Sequence, residues 1–199
     1  AQPSSGLRPE SMLRSYQRYL AEQIECLPMV LGAAEMSLGK TGATLTGVKR
    51  YLRKNPTSRA LIVAPLEVAK NTWPDEVHEW EHLRGLTYTV VTGNEKQRLA
   101  ALEIDADLTI INRENLQWLW KTTGGRKGWR WDVLVYDESS RLKGFAPRTK
   151  GTDKTPPQIS EFGVLVQARS KIKKVVQLSG TPAPNGIYDL GGKARVLFG

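Results

Sequence analysis

A chain of 199 residues is long enough for one well-buried core and too short for two of ordinary size. With 40% hydrophobic and 25% charged residues it has a globular composition, which excludes a disordered or low-complexity chain. Lys and Arg outnumber Asp and Glu by 29 to 20, and the net charge of +9 points to a polyanionic partner, nucleic acid before an acidic membrane surface.

No apolar run is long enough to span a bilayer, and the N-terminus lacks the basic-then-apolar pattern of a signal peptide. Cys26 is the sole cysteine, so an intrachain disulfide and a cysteine metal cluster are excluded and a reducing cytoplasm fits best. Residues 1–11, rich in Pro, Ser and Gly, read as a flexible N-terminal arm. From Met12 to Cys26 the period turns helical, with Leu13, Tyr16, Leu20, Ile24 and Leu27 on one face. The apolar run Met29-Val30-Leu31 leads into Ala34-Glu35-Met36-Ser37-Leu38-Gly39-Lys40-Thr41. A second helical segment follows, with Ala43, Val48, Tyr51 and Leu52 on one side and Lys49, Arg50 and Arg53 on the other; Asn55-Pro56 ends it.

Strand, tight loop, helix is the setting in which Gly-Lys-Thr binds phosphate. Backbone N–H groups at the helix start point at the anion, and the helix dipole adds to them. Lys40 would reach the β- and γ-phosphates, and the Thr41 hydroxyl would ligate the bridging Mg²⁺. The strict pattern wants glycine where Ala34 stands, and a lone Gly-Lys-Thr is also an ordinary helix start. The assignment therefore needs a distant acidic motif.

Further apolar runs follow at Ala60–Ala64, Thr87–Val91, Leu108–Ile111, Val133–Tyr136 and Val175–Leu178. Helical stretches at Glu67–Glu81, Lys96–Glu103, Arg113–Lys121 and Ile159–Lys171 separate most of them. Near-continuous apolar strands alternating with helices predict an α/β fold, a mostly parallel sheet with helices on both faces. Such a sheet binds ligands at the carboxyl ends of its strands. Two Gly-, Pro- and Lys/Arg-rich stretches, 121–130 and 143–157, read as surface loops.

Val133 to Tyr136 ends in Asp137-Glu138, about 100 residues after the phosphate loop, a natural separation in a doubly wound sheet. Asp137 would hold Mg²⁺ through its water shell, and Glu138 would orient and deprotonate the water attacking the γ-phosphate. Two acids at a capped strand end are the bland alternative, and the upstream phosphate loop weighs against it. A third motif, Ser179-Gly180-Thr181-Pro182 with Asn185, again sets a glycine and small hydroxyls directly after an apolar run.

Together these motifs resemble the first RecA-like motor domain of superfamily-two helicases, in the Swi/Snf-type branch found in bacteriophages. The family's loop commonly reads Asp-Glu-Met-Gly-Leu-Gly-Lys-Thr, similar to Ala34–Thr41. Asp137-Glu138-Ser139-Ser140 resembles its acid motif, and Ser179 to Asn185 its coupling motif. The resemblance implies a RecA-like P-loop NTPase domain over 12–199 that binds ATP and Mg²⁺. Its catalytic residues would be Lys40, Asp137 and Glu138, with Thr41 and Asp137 on the metal. Leu13-Arg14-Ser15-Tyr16-Gln17 resembles the segment that reads adenine, which adds Arg14 and Gln17 to a nucleotide site of Met36, Ser37, Leu38, Gly39, Lys40, Thr41, Gly180 and Thr181. Leu61–Leu66 with Lys70-Asn71-Thr72-Trp73 resembles a DNA-gripping motif, and Asn112-Arg113 a later strand contact. Pro65, Lys70, Asn71, Asn112, Arg113, Arg141, Lys143 and Asn185 would thus touch DNA, double-stranded and without sequence preference. A bacterial or phage-infected host cytoplasm is the implied location.

The sequence departs from the family at Ala34 and Ser37, and Asp189-Leu190-Gly191-Gly192 stands where an aromatic residue often follows Leu. The second motor domain, which carries an arginine finger, has no counterpart in these residues, so it is expected in cis or in trans. The alternative function is a non-motor ATP- and DNA-binding clamp or scaffold. A P-loop kinase would need an acceptor pocket and lid that the sequence does not offer. His78-Glu79-Trp80-Glu81-His82 matches a zinc-protease pattern on an expected helix, but the chain has only 2 histidines. The Trp residues fall mostly at apolar positions and read as core, with base stacking by Trp129 and Trp131 as the alternative.

Overall fold

The computed structural model describes residues 6–33, 39–137 and 160–180. The apolar runs form one six-stranded, all-parallel sheet: β1 (Met29–Ala33), β2 (Ala60–Ala64), β3 (Tyr88–Val91), β4 (Leu108–Asn112), β5 (Val133–Tyr136) and β6 (Lys174–Ser179). Their order across the sheet is β1-β6-β5-β2-β4-β3. β2, β4, β5 and β6 are buried along their whole length, as strands covered on both faces must be.

The period of two divides each strand between two apolar layers. Ala60, Ile62 and Ala64 join one layer with α1 (Ser15–Cys26), α2 (Lys40–Lys54) and α3 (Trp73–Glu79). Leu61 and Val63 join the other with α5 (Leu116–Thr122) and α6 (Glu161–Ala168). The remaining helix, α4 (Glu95–Glu103), packs beside β3 and starts with an Asn94–Gln97 capping box.

α2 runs through the first layer and is buried without interruption from Gly42 to Val48, which is why its polar face starts only at Lys49. α1 lies against it at close range. A Cβ on Gly47 would stand 2.6 Å from Ala21 O and 2.7 Å from Ile24 Cβ. This contact rotates α1 from the orientation its large residues suggest. The buried stripe is Leu13, Gln17, Ala21 and Ile24, Tyr16 is half-buried, and Leu27 is exposed.

The structure adds detail to three stretches. Residues from Arg8 onward, read as part of a flexible arm, are tied down: Arg8 pairs with Trp80 through Arg8 N–H to Glu79 O at 2.8 Å and Glu81 N–H to Arg8 O at 2.9 Å. Glu10 pairs with Arg50 of α2. The helix expected over Glu67–Glu81 divides into a π-helical turn at Val68–Thr72, then α3, then a 3₁₀ turn at Glu81–Leu83. Trp129 and Trp131 pack as core, as their apolar positions suggest, and not as an exposed base-stacking surface: both are buried and meet edge to face 5.2 Å apart in the second layer. At the amino end of β6 the Lys174 ammonium is buried, donates to Leu27 O and lies 4.7 Å over the Tyr51 ring. Its desolvation pushes its pKa down. Among the described residues no helix is long and apolar enough to cross a membrane.

Candidate nucleotide site

The strand order determines where the motifs meet. β1, β6, β5 and β2 are consecutive in the sheet, so the segments leaving their carboxyl ends share one rim. Register aligns the ends: Ala33 lies beside Ser179, Tyr136 beside Gln177, and Val63 beside Tyr136. A cavity of about 500 Å³ opens there, lined by Gly39, Lys40, Thr41, Pro65, Thr72, Glu76, Asp137 and Gly180 among others. Residues 39–41, 137 and 180 are distant in sequence and come together only through this topology.

α2 begins at Lys40, so its first N–H groups and the positive end of its dipole face the cavity. Gly39 precedes it in the left-handed region at φ 69° and ψ 35°, where a side chain is strained. It is also sterically closed, since a Cβ there would run into Gln17 Nε2. The Gln17 amide explains that closeness: Nε2 donates to Gly39 O at 2.9 Å and Oε1 accepts from Arg14 N–H at 2.8 Å. Gln17 is 6% exposed and joins the start of α1 to the phosphate loop, while the Arg14 side chain is exposed.

Asp137 leaves β5 with its N–H on Val63 O at 2.8 Å. Its Oδ2 accepts from the indole Nε1 of the fully buried Trp73 at 3.2 Å. Glu76, one helical turn on, also lines the cavity, and its Oε2 accepts from Trp80 Nε1 at 2.6 Å. Burial pushes the Glu76 pKa up, with Glu79 adding to the rise; the Trp80 hydrogen bond and the Arg8 charge oppose it. Arg8 sits at the same opening, its guanidinium 5.6 Å from the Trp80 ring and 3.1 Å from Glu79. Arg8, Thr72, Trp73 and Glu76 are absent from the sequence-derived site. Thr72 and Trp73 were legible only as part of the segment that resembles a DNA-gripping motif, and the helical spacing of Glu76, Val77 and Trp80 only as packing.

The chemistry of the site fits a magnesium nucleotide. Asp137 and Thr41 both line one cavity and offer hard oxygen donors, and Mg²⁺ is ordinarily held by one or two such groups plus phosphates and water. Lys40 and the α2 N-terminus supply positive potential for a triphosphate. Glu138, Met36, Ser37, Leu38 and Thr181 lie outside the described residues.

Of the residues expected on DNA, Lys70 and Asn71 are exposed on the π-helical turn, and Asn71 donates to Glu67 Oε2 at 3.3 Å. Pro65 is half-buried at the cavity wall. Asn112 and Arg113 are 6% and 7% exposed, so the structure gives their side chains internal partners instead of a surface role. Asn112 donates to Glu114 and accepts from Asn115, and the charge of Arg113 acts on the buried Tyr136 hydroxyl. A 3₁₀ turn at Arg113–Asn115 follows β4 directly and keeps these partners of Asn112 within three residues of it. Arg141, Lys143 and Asn185 lie outside the described residues.

The zinc-protease pattern does not form a site. His78 is on α3 with Nε2 2.8 Å from Tyr88 OH, whereas His82 is on the following 3₁₀ turn with Nε2 2.7 Å from Thr46 Oγ1. Among the described residues no group of three or more His, Cys, Asp or Glu side chains is placed to hold a metal.

Residues 29–193 match the family described as the SNF2-related domain. A curated relative, putative protein p41 of Acyrthosiphon pisum secondary endosymbiont phage 1, is 37% identical over 183 residues, covering 91% of this chain and 38% of the relative. Mouse chromodomain-helicase-DNA-binding protein 1-like is 28% identical over 187 residues, covering 89% of this chain and 19% of its own length. Among solved structures, the Sulfolobus solfataricus SWI2/SNF2 ATPase core in complex with dsDNA superposes with a TM-score of 0.70 at 22% identity, covering 100% of this chain and 38% of that one. The same core domain without DNA in its description gives 0.63 at 23% identity, covering 94% and 35%. The fold is thus that of the SNF2 ATPase core, and the chain spans well under half the length of each of these proteins.

Proposed function

The chain belongs to the SNF2-related domain family, and from that premise we propose that it is the ATP-binding motor domain of a DNA-dependent ATPase. The enzyme would be a Swi/Snf-type helicase or translocase acting on double-stranded DNA without reading its sequence. The observation that carries this reading is the single cavity uniting Gly39-Lys40-Thr41, Asp137 and Gly180. The phage relative and the dsDNA-bound archaeal core support the choice of DNA and a bacterial or phage-infected cytoplasm.

Lys40 and the α2 N-terminus bind the β- and γ-phosphates, with Met36, Ser37, Leu38 and Gly39 completing the loop. Thr41 and Asp137 hold Mg²⁺, which when bound neutralises charge shared by those phosphates. Glu138 takes the proton of the attacking water. Gln17 has its amide at the loop already, and with Arg14 it faces the adenine side. Gly180 and Thr181 report the γ-phosphate state to the DNA face. Lys70, Asn71 and Pro65, with Arg141, Lys143 and Asn185, grip the backbone; Asn112 and Arg113 support the rim from beneath. A second RecA-like domain, in cis or in trans, closes the other side of the nucleotide.

Nucleotide titration with the wild type and Lys40→Ala tests the reading. ATP affinity should fall at least tenfold in the variant while the thermal midpoint stays in place, because the Lys40 side chain ends at the ligand. Duplex DNA affinity, measured in parallel, should drop steeply between 50 and 200 mM salt as in counterion release, roughly 10³-fold where about six phosphates are contacted. Equal ATP affinities would remove the phosphate-loop assignment, and a flat salt profile would remove the backbone-gripping surface.

A further inference from the structure

The chain between β2 and α3 contains one irregularity. Val68–Thr72 winds as a π-helical turn before α3 begins at Trp73. Such turns insert an extra residue, are uncommon, and recur at functional sites. Its effect here is to re-phase the segment: Lys70, Asn71 and Thr72 are exposed and the next residue, Trp73, is wholly buried. The indole then reaches Asp137, 64 residues away in sequence, and Nε1 donates to Oδ2 at 3.2 Å.

A buried indole N–H needs some acceptor, so a hydrogen bond alone signifies little. The ordinary solution is visible elsewhere in the molecule. Trp129 Nε1 donates to Trp131 O and Trp131 Nε1 to Thr109 Oγ1, both at 2.9 Å and both within the core. Trp73, like Trp80 with Glu76, has as its acceptor a carboxylate on the wall of the nucleotide cavity, and for Trp73 that carboxylate is Asp137, at the end of β5 and assigned to the metal. An indole N–H is a donor only, so it must take an oxygen of the carboxylate as its acceptor. Being held by a fully buried ring, it also fixes which oxygen is turned inward.

We infer that Trp73 is the positioning residue of the metal-binding carboxylate, holding Asp137 Oδ2 so that the carboxylate meets Mg²⁺ in one orientation. The inference rests on the assignment of Asp137 as a metal ligand. Outer-shell partners of this kind are typically worth 10- to 100-fold in metal affinity. The π-helical turn that places the indole also carries Lys70 and Asn71, so the segment proposed to grip DNA is covalently continuous with the brace of the metal ligand.

The test measures ATP affinity by calorimetry in EDTA and in Mg²⁺, and reads the ratio of the two. Four proteins are compared: wild type, Trp73→Phe, a chain with benzothienylalanine at position 73, and Asp137→Asn. Benzothienylalanine keeps the ring volume and replaces N–H by sulfur, so it reports on the hydrogen bond even where Trp73→Phe fails to fold. The expected result is a Mg²⁺-dependent gain reduced about tenfold in both position-73 proteins, with affinity in EDTA unchanged. An unchanged gain in the benzothienylalanine protein, with Asp137→Asn reducing it, overturns the role of Trp73. So does an equal loss with and without Mg²⁺, the mark of a merely structural ring. If Asp137→Asn keeps the full gain, the metal-ligand assignment itself fails and takes the inference with it.

Discussion

His82 shows how far one residue's surroundings change its meaning. In sequence it completes a metal-binding pattern with His78. In the fold its Nε2 is spent on Thr46 Oγ1 at 2.7 Å, its ring meets Trp80 edge-on at 5.4 Å, and Lys49 donates to its carbonyl at 2.8 Å. Burial pushes its pKa down, with the Lys49 and Arg50 charges in the same direction and Glu10 and Glu81 opposing. A depressed pKa means the unfolded chain binds the proton more readily. The stability His82 contributes is therefore complete above the ordinary histidine value of about 6.5 and is lost as pH falls through the lower folded-state value. Urea unfolding between pH 7.5 and 5 should show that loss in the wild type. In His82→Gln, which keeps an amide for Thr46 but cannot titrate, the decline over this window should be shallower. Identical pH slopes would mean that His82 binds its proton alike in the folded and unfolded chain, which would overturn the depressed pKa. Gly39 is the complementary case at this scale. Its left-handed φ and the adjacent Gln17 amide both exclude a side chain, and only the first of these is suggested by a glycine at a helix start.

At the level of elements, the α1–α2 contact is set by what is missing from it. Gly47 lets Ala21 and Ile24 approach the α2 backbone, and this close approach determines which face of α1 is buried. Gly47→Ala would gain about 1 kcal/mol of helix propensity. Against this, its Cβ would meet the Ala21 carbonyl oxygen at 2.6 Å, a backbone atom that cannot rotate away. Overpacking of this kind costs typically 1–3 kcal/mol, so the expected outcome is a net loss of up to about 2 kcal/mol. Denaturant titration checks it through a lower midpoint with an unchanged m-value. A midpoint that rises would show that α1 can slide to accommodate a methyl group. The same reasoning applies to α3: the π-helical turn, not the helix period, aims Trp73 at Asp137.

For the whole molecule, the decisive fact is that the nucleotide cavity is built along one rim of one sheet. Lys40, Thr41 and Asp137 line this cavity and, in the proposed function, would meet a triphosphate from one side, with Glu138 proposed beside them. Phosphoryl transfer needs charge stabilisation on all sides, and an arginine finger is worth about 10³ to 10⁵ in rate. Residues 1–199 alone should therefore bind ATP but turn it over extremely slowly, with little stimulation by duplex DNA. Supplying a second RecA-like domain, in cis or in trans, should restore DNA-stimulated turnover. A steady-state phosphate-release assay decides this; brisk DNA-stimulated hydrolysis by the 199 residues would place the missing charge within them.

The sequence by itself determined the class of fold and the chemistry of the motifs. Near-continuous apolar runs separated by helical periods are a local signal, and they located all six strands to within a few residues. Gly-Lys-Thr and the strand-terminal Asp137 are local in the same sense, because loop, helix start and carboxylate each occupy a few consecutive positions. Tertiary structure alone decided what depends on contacts between distant segments. Strand order brought residues 39–41, 137 and 180 to one cavity and added Arg8 and Glu76 to it. Burial also covers Asn112 and Arg113, which the family resemblance alone had assigned to a contact with DNA. Helix contacts placed Gln17 against Gly39, and a one-residue widening of a turn carried Trp73 to Asp137. Hydrogen bonds across 22 and 64 residues leave no period in the sequence, because their geometry is set by packing and not by neighbouring residues.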